Sequence, residues 1–298
     1  MKSTVILFLL MFMIIPVYAQ DESENASDTT EGWKVKGTFG IGFSQVSLTN
    51  WVAGGENSVS GNISLRVGAD YKMGKHSWTN FLLTSYGLQK LGKSDFQKNE
   101  DIIELNSKYG YQIGKKWHYA VNMNLRTQLS PGYRTPEDSI KGSDFFAPAY
   151  IVLSTGFDYK PNDNFSILLA PVAGKFTIVA DDFLSSIGAY GVDPGSTSRS
   201  EFGGFIQLIY TKENLIKNVN FINNLNLFSN YFENPEKIDV NWQMIFDLKV
   251  NKFLTASLTT HLIYDYDIKF AEMVDGQEVL TDKVQFMEAF SLGLTVSF

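Results

Sequence analysis

The chain of 298 residues has no cysteine, and this absence excludes disulfide bonds and thiolate metal sites. It has only 3 histidines, without the spacing of a metal site, so we predict no metal and no cofactor. Charged residues make up 19% of the chain and the formal net charge is -7, which argues against a surface that binds nucleic acid. No apolar run reaches the roughly 20 residues that a membrane-spanning helix requires.

The N-terminal residues carry a targeting signal. Lys2 precedes an apolar stretch at 5–17, and the small residue Ala19 follows it. This pattern predicts a secretory signal peptide at 1–19. Residues 20–32 are acidic, small and polar, which predicts a flexible periplasmic tail. The remaining residues, 33–298, are predicted to form one domain.

The last stretch of the chain, 284–298, alternates with a period of two. Such alternation predicts a strand with one apolar face. The stretch resembles the C-terminal strand of bacterial outer-membrane β-barrels, which pairs with the first strand and closes the cylinder. An edge strand of a soluble sandwich alternates in the same way, so the rest of the chain has to decide. The apolar positions are Val284, Phe286, Phe290, Leu292, Leu294, Val296 and Phe298.

The same period recurs from Trp33 onward and predicts about 12 strands, an even number typical of transmembrane barrels. Short links follow the even-numbered strands, and mostly long links follow the odd-numbered ones. Because an exported chain without apolar helices can cross lipid only as a closed barrel, we predict an all-β, transmembrane, antiparallel up-and-down barrel in a Gram-negative outer membrane. A secreted sandwich or solenoid is the alternative. The predicted long loops include 89–100, 130–148, 180–198 and 268–283.

The two faces of the predicted strands indicate which side meets lipid. Aromatic residues cluster at the periplasmic end of most strands on the apolar parity, as in the girdles of membrane barrels. The opposite parity carries charged and amide side chains, which predicts a hydrated interior. The aromatic positions are Trp33, Tyr71, Trp78, Tyr111, Trp117, Tyr159, Phe165, Tyr210, Phe221, Phe253 and Phe298.

Local motifs add a family resemblance. The chain has N-W-x-x-G-G-x-N-S at 50–58, Gly174-Lys175 after Pro171, and Asn234-Pro235 before a V-N-W segment at 240–242. Together they resemble an uncharacterised Bacteroidota family of outer-membrane-type β-barrels that is known only as a domain of unknown function. The resemblance spans the chain from about residue 33 and implies a fold and a compartment. It implies no reaction, ligand or catalytic residue.

Two groups of residues are candidates for a functional site. The first group predicts either an inward-folded loop that narrows the pore or a turn that fixes the first hairpin. It consists of Trp51, Gly54, Gly55 and Asn57. The second lies on the inner parity and predicts either a selective constriction or salt bridges that fill a closed lumen. This second group is Arg66, Glu104, Lys108, Asn122, Arg126, Gln243, Asp247 and His261.

Residues 181–191 have apolar side chains at helical spacing behind Asp181, which predicts a short helix in an outer loop. A lipid-hydrolysing triad is not expected, because His118 and His261 lie on the inner parity and His76 lies in a turn. The predicted function is a narrow channel for small solutes; the alternative is a closed barrel that serves as a structural or assembly partner through its outer loops. Membrane lipid and the barrel-assembly machinery, reached through the strand ending at Phe298, are the expected partners.

Overall fold

A computed structural model describes residues 31–47, 56–133, 140–274 and 277–298 of the chain. The predicted signal peptide at 1–19 and nearly all of the predicted tail at 20–32 lie outside these residues. The compact unit Glu31–Ser297 contains the barrel. Within the described residues, no helix is long and apolar enough to cross a membrane.

Twelve strands form one closed antiparallel barrel, and two short hairpins lie in its loops. The barrel strands are β1 Gly32–Val46, β2 Ser58–Met73, β3 His76–Leu91, β4 Gln97–Gln112, β5 Trp117–Thr127, β8 Ala149–Asn162, β9 Phe165–Ile178, β10 Ser198–Ile216, β11 Val219–Asn230, β12 Asp239–Lys249, β13 Leu254–Tyr264 and β16 Gln285–Ser297. The hairpins are β6 Gly132–Tyr133 with β7 Lys141–Ser143, and β14 Lys269–Val274 with β15 Gln277–Asp282. A helix, α1 Asp182–Ser186, and a 3-10 helix, Ala189–Gly191, lie between β9 and β10.

The predicted all-β antiparallel barrel of about 12 strands is confirmed, including its closure by the last strand. β16 pairs with β1 on one side, with Leu294 opposite Ile41, and with β13 on the other, with Leu292 opposite Ala256. Every other barrel strand pairs with its neighbours in the sequence of barrel strands. The described barrel sheet therefore has no first or last strand with an unpaired edge, because a closed cylinder has none.

The links between strands define two ends of the barrel. At the turn end the links are 74–75, 113–116, 163–164, 217–218 and 250–253. Gly74 and Asn218 have φ values of 54° and 64°, the left-handed conformation that tight hairpins between twisted strands require. At the loop end the links are mostly longer, and 128–148, 179–197 and 265–284 carry the extra hairpins and helices.

Two predicted loops are wrong in extent. In place of a loop over 89–100, β3 continues to Leu91 and β4 begins at Gln97, with Gln89 opposite Gln97. The predicted loop at 268–283 contains the β14–β15 hairpin. At the loop end of β3 and β4 most residues are polar, as in Gln89-Lys90 and at 97–100, so the alternation by which a strand is recognised is lost there.

The outer surface of the barrel is apolar over most of its height. Outward positions of β1 and β16 are exposed, for example Phe43 at 65% and Phe290 at 70%. Near the turn end the outward rings pack in pairs, with centroids 5.2 Å apart for Trp33 and Tyr71 and 5.0 Å apart for Trp117 and Tyr159. The predicted apolar exterior and its aromatic end are therefore confirmed.

Strand β9 carries a bulge at Pro171, which has no amide proton for the ladder. The register with both neighbouring strands shifts there, between Gly203 and Phe205 on β10 and between Thr155 and Phe157 on β8. The Tyr231 hydroxyl donates a hydrogen bond to the Pro171 carbonyl oxygen at 2.9 Å and so uses an acceptor beside the irregular ladder. The bulge also switches the parity of β9: Ser166 and Leu168 are buried before it, and Lys175 and Thr177 after it.

Candidate functional site

The loop end of the barrel encloses a cavity of about 1680 Å³, here called the vestibule. Its wall mixes aromatic rings with charged and amide groups. The aromatic residues that line it are Tyr86, Phe96, Tyr133, Tyr150, Tyr190, Phe205, Phe228, Tyr264 and Phe270. The volume exceeds the several hundred cubic ångströms of an ordinary small-ligand pocket, so the vestibule accommodates a solute together with water.

Below the vestibule, one side of the lumen is filled by buried polar side chains. Lys108 Nζ lies 3.2 Å from Asp158 Oδ1 and 2.5 Å from Ser166 Oγ, and Ser166 donates to Asp158 at 2.6 Å. The side chains of Lys108 and Asp158 are 1% and 0% exposed. Opposite charges at this depth satisfy each other and leave no room for a solute beside β4, β8 and β9.

Amide groups continue this filled side. Asn106 donates to Asn122 at 3.1 Å, and Gln207 donates to Asn226 at 3.0 Å. Asn122 and Gln207 are both fully buried. The filled side, from β4 to β11, is thus a contiguous polar packing rather than an open wall.

The other side of the lumen, formed by β1, β2, β13 and β16, has small inward residues. They alternate with the exposed apolar positions of the same strands and include Thr38, Gly40, Ser64, Ser257, Ser291, Gly293 and Thr295. Glycine and hydroxyl side chains occupy little of the cross-section. Within the described residues, the inward side chains therefore fill less of the lumen along the junction where the first and last strands pair, here called the seam side.

A single bidentate ion pair crosses the seam side within the described residues. Arg66 of β2 donates to Asp247 of β12, with Nη1 to Oδ2 at 2.6 Å and Nη2 to Oδ1 at 3.1 Å. Ser257 donates to the same Asp247 oxygen at 2.6 Å. The side chains of Arg66 and Asp247 are 13% and 14% exposed, so the pair lies inside the lumen. It bridges two wall strands that are not neighbours in the sheet.

The remaining predicted lumen residues also face inward, but they do not form one constriction. Glu104 stands opposite Arg126 in the β4–β5 register, and Asn224 donates to Glu104 at 3.5 Å. His261 Nε2 lies 2.7 Å from Asn241 Oδ1, and Gln243 is its register partner. Of the eight predicted residues, Lys108 and Asn122 therefore lie in the filled side, Arg66 and Asp247 form the bridge, and Arg126 lines the vestibule.

Sequence reasoning missed a cluster around Lys175 in the vestibule wall. Lys175 Nζ lies 2.6 Å from Asp239, 2.8 Å from Asp265 and 3.5 Å from Glu201. Lys175 follows the β9 bulge, so its inward position contradicts the parity read from the start of the strand. The break at Pro171 is the signal that could have revealed it.

The predicted helix in the outer loop is confirmed and lies at the rim of the vestibule. Asp181 caps α1 by accepting a hydrogen bond from the Leu184 amide at 2.9 Å. Lys141 Nζ lies 2.6 Å from both Asp181 and Asp144 and ties two loops together. The hydrogen bond from Lys141 and the capped amide lower the pKa of the Asp181 carboxyl. The loop is thereby fixed in place through charge pairing as well as through packing of Leu184 on Val179.

The predicted plug residues Trp51, Gly54 and Gly55 lie outside the described residues, so that prediction stays a prediction. Asn57 is described, and its carbonyl oxygen accepts a hydrogen bond from the Gly92 amide at 2.7 Å. This contact joins the start of β2 to the β3–β4 link.

Comparison with known proteins gives a family of unknown function and distant barrels. Residues 43–133 match a family described as protein of unknown function (DUF3078). No curated protein shows significant sequence similarity to the chain. The match agrees with the resemblance to a family of unknown function; an origin in Bacteroidota stays a prediction.

Three solved structures are similar to the chain at low identity. The COG4313 outer membrane channel from Pseudomonas putida F1 is 10% identical, with 94% of this chain and 100% of that chain covered and a TM-score of 0.38. The translocator domain of the autotransporter NalP from Neisseria meningitidis is 9% identical, with 91% and 90% covered and a TM-score of 0.35. The NanC porin is 8% identical, with 88% and 98% covered and a TM-score of 0.35. At such identities and scores no activity is transferable from any of them.

Proposed function

We propose that this chain spans the outer membrane of a Gram-negative bacterium as a β-barrel and lets small polar solutes cross through a narrow lumen. The continuous apolar exterior supports the membrane location, because a soluble protein rarely exposes so large an apolar surface. Paired aromatic rings such as Trp33 and Tyr71 suit a membrane–water boundary. The polar interior supports passage of solutes that lipid excludes.

One observation carries the channel: the Arg66–Asp247 bridge spans a side of the lumen whose other inward residues are small. A barrel with a purely structural role has no need of unfilled space on one side. Here the filled side is packed with buried amides and ions, whereas the seam side carries hydroxyl groups and glycine. Charged groups at the narrowest point of a pore decide which solute passes, and we propose that the bridge has this role.

Current across a planar bilayer tests the channel directly. We expect discrete conductance steps from the purified chain. Because the chain has no cysteine, a Ser64→Cys variant holds a single thiol, on the inward parity of β2. A charged methanethiosulfonate reagent should block its current, and the same reagent should leave Leu65→Cys, on the outward parity, unchanged. Absence of steps, or equal block of both variants, would favour the closed barrel.

If the barrel spans a membrane, an arginine on its outer face should be destabilising by an amount that depends on its depth in the bilayer. Leu292 is 50% exposed and lies near the middle of β16, facing outward. Leu292→Arg should lower the free energy of unfolding from lipid by roughly 2–4 kcal/mol, because a charge at the bilayer midplane is poorly solvated. The matched control is Phe253→Arg at the turn end, where the expected loss is roughly 0–1 kcal/mol. Unfolding in guanidinium with lipid vesicles measures both, and equal losses would contradict a membrane-spanning belt.

Lipid and the barrel-assembly machinery remain the proposed partners. The outward face of β16, with Phe286, Phe290 and Leu294 exposed, supports this proposal. A catalytic role is not proposed, since His261 is engaged with Asn241 inside the lumen and His76 with Tyr109 outside it.

A further inference from the structure

The floor of the vestibule holds the guanidinium group of Arg126, and Glu104 lies opposite it in the strand register. Arg126 and Asn124 lie two residues apart on β5, and both line the cavity. Within the residues that the structure describes, Arg126 makes no hydrogen bond and no ion pair, although Glu104 is its register partner. Asn124 is 6% exposed and its Nδ2 group donates to no acceptor. Unpaired donors at such burial are unfavourable unless an acceptor arrives.

The other cations that line the vestibule already have partners. Lys175 is held by three carboxylates. Lys98 Nζ lies 2.8 Å from Asp101 Oδ2. Lys269 and Lys283 are also engaged. Among the lining cations of the described chain, Arg126 is therefore the one without a hydrogen bond or an ion pair, although the Glu104 carboxyl group lies close enough to attract it.

Two amides on the facing wall add donors to the same floor. Asn226 uses its oxygen to accept from Gln207, and Asn241 uses its oxygen to contact His261. Both residues line the vestibule, and their NH₂ groups make no hydrogen bond with the described residues. Four residues thus present hydrogen-bond donors that no acceptor among the described residues contacts. They are Arg126, Asn124, Asn226 and Asn241, here called the donor floor.

We propose that the donor floor binds the carboxylate of a small amphiphilic solute whose apolar part lies against the aromatic wall. A guanidinium fork matches a carboxylate in geometry and charge. The nearby Glu104 disfavours a second negative charge, which selects a monoanion over a phosphate dianion. Tyr150, Phe205 and Phe228 of the same cavity supply an apolar surface for a ring or short chain. This inference rests on the proposed channel, whose substrate class it names, but binding requires no conduction.

Titration calorimetry of the purified full chain in detergent micelles tests the donor floor, with benzoate as the probe and empty micelles as the blank. Benzoate should bind at least about tenfold more tightly than benzamide, its neutral isostere, because only the anion forms charge-assisted hydrogen bonds. Arg126→Gln should weaken benzoate at least about tenfold and leave benzamide unchanged. Equal binding of the two probes, or benzoate binding that survives Arg126→Gln, would overturn the proposal.

Two further variants keep the test decisive. Lys98→Gln removes one positive charge from the same cavity, and Asp101 retains hydrogen bonds from the backbone amides of Leu129 and Ser130, so benzoate affinity should stay within about twofold. If Arg126→Gln fails to fold, Asn124→Asp serves instead, and its added carboxylate should repel benzoate and spare benzamide. A chain that binds benzoate without conducting would refute the channel alone, whereas a chain that conducts without binding would refute the donor floor alone.

Discussion

Removal of both charged groups of the lumen bridge, in the Arg66→Ala/Asp247→Ala variant, is expected to raise single-channel conductance severalfold. The pair is the one bidentate ion pair that crosses the seam side in the described part of the chain, with a shortest distance of 2.6 Å. Its neighbours along the path are hydroxyl groups and glycine, so alanine at both positions leaves a wider passage. The double substitution avoids an unpaired buried charge, whose cost would confuse the result.

Single substitutions at the bridge should change the preference of the channel for anions or cations more than they change its conductance. Asp247→Asn leaves the Arg66 charge at the narrow point and should favour anions, whereas Arg66→Gln should favour cations. Reversal potential in a salt gradient measures both. The matched control removes the pair formed by Lys36 and Glu213, which lie 3.0 Å apart with side chains 78% and 65% exposed. Conductance that rises equally in this control would show that the bridge does not limit the pore.

Asp158→Asn is expected to be the most destabilising conservative change in the barrel, with a loss of roughly 3–5 kcal/mol in the free energy of unfolding. It leaves the Lys108 ammonium group, 1% exposed, with only the Ser166 hydroxyl as a close partner. Lys108→Met should cost less, because Lys160 Nζ remains 3.3 Å from Asp158 Oδ2. Reversible urea unfolding followed by tryptophan fluorescence measures this order.

A double-mutant cycle gives the control for this pair. Lys108→Met/Asp158→Asn removes both charges and should lose less than the sum of the two single changes. Equal costs for Asp158→Asn and Lys108→Met, or strict additivity, would mean that solvent reaches the pair and screens it.

The sequence was sufficient for the barrel because alternation survives wherever one face meets an apolar environment. Phe39 and Ile41 on β1, and Phe290 and Leu292 on β16, keep one parity through the apolar belt. The predicted loop at 89–100 is wrong in extent because apolar and polar residues no longer alternate where both faces of a strand are exposed to water.

The partners inside the lumen could not be predicted. Arg66 and Asp247 were both placed on the inner face, but they are 181 residues apart and meet only through the tilt and stagger of the closed cylinder. Lys175 was missed for a different reason, since the bulge at Pro171 reverses the parity of its strand. Pairing across a lumen depends on global geometry that no local pattern contains.

Because the lumen is filled unevenly, its packed side and the proposed passage can form at different stages of folding. The filled side belongs to β4 through β11, a continuous middle segment whose hydrogen bonds can form before the ends of the chain meet. The walls of the proposed passage belong to β1 and β2 at one end of the domain and to β13 and β16 at the other. If this side is the passage, as we propose, it runs off the barrel axis and has no complete wall until β1 joins β16, so closure of the cylinder would also form the pore.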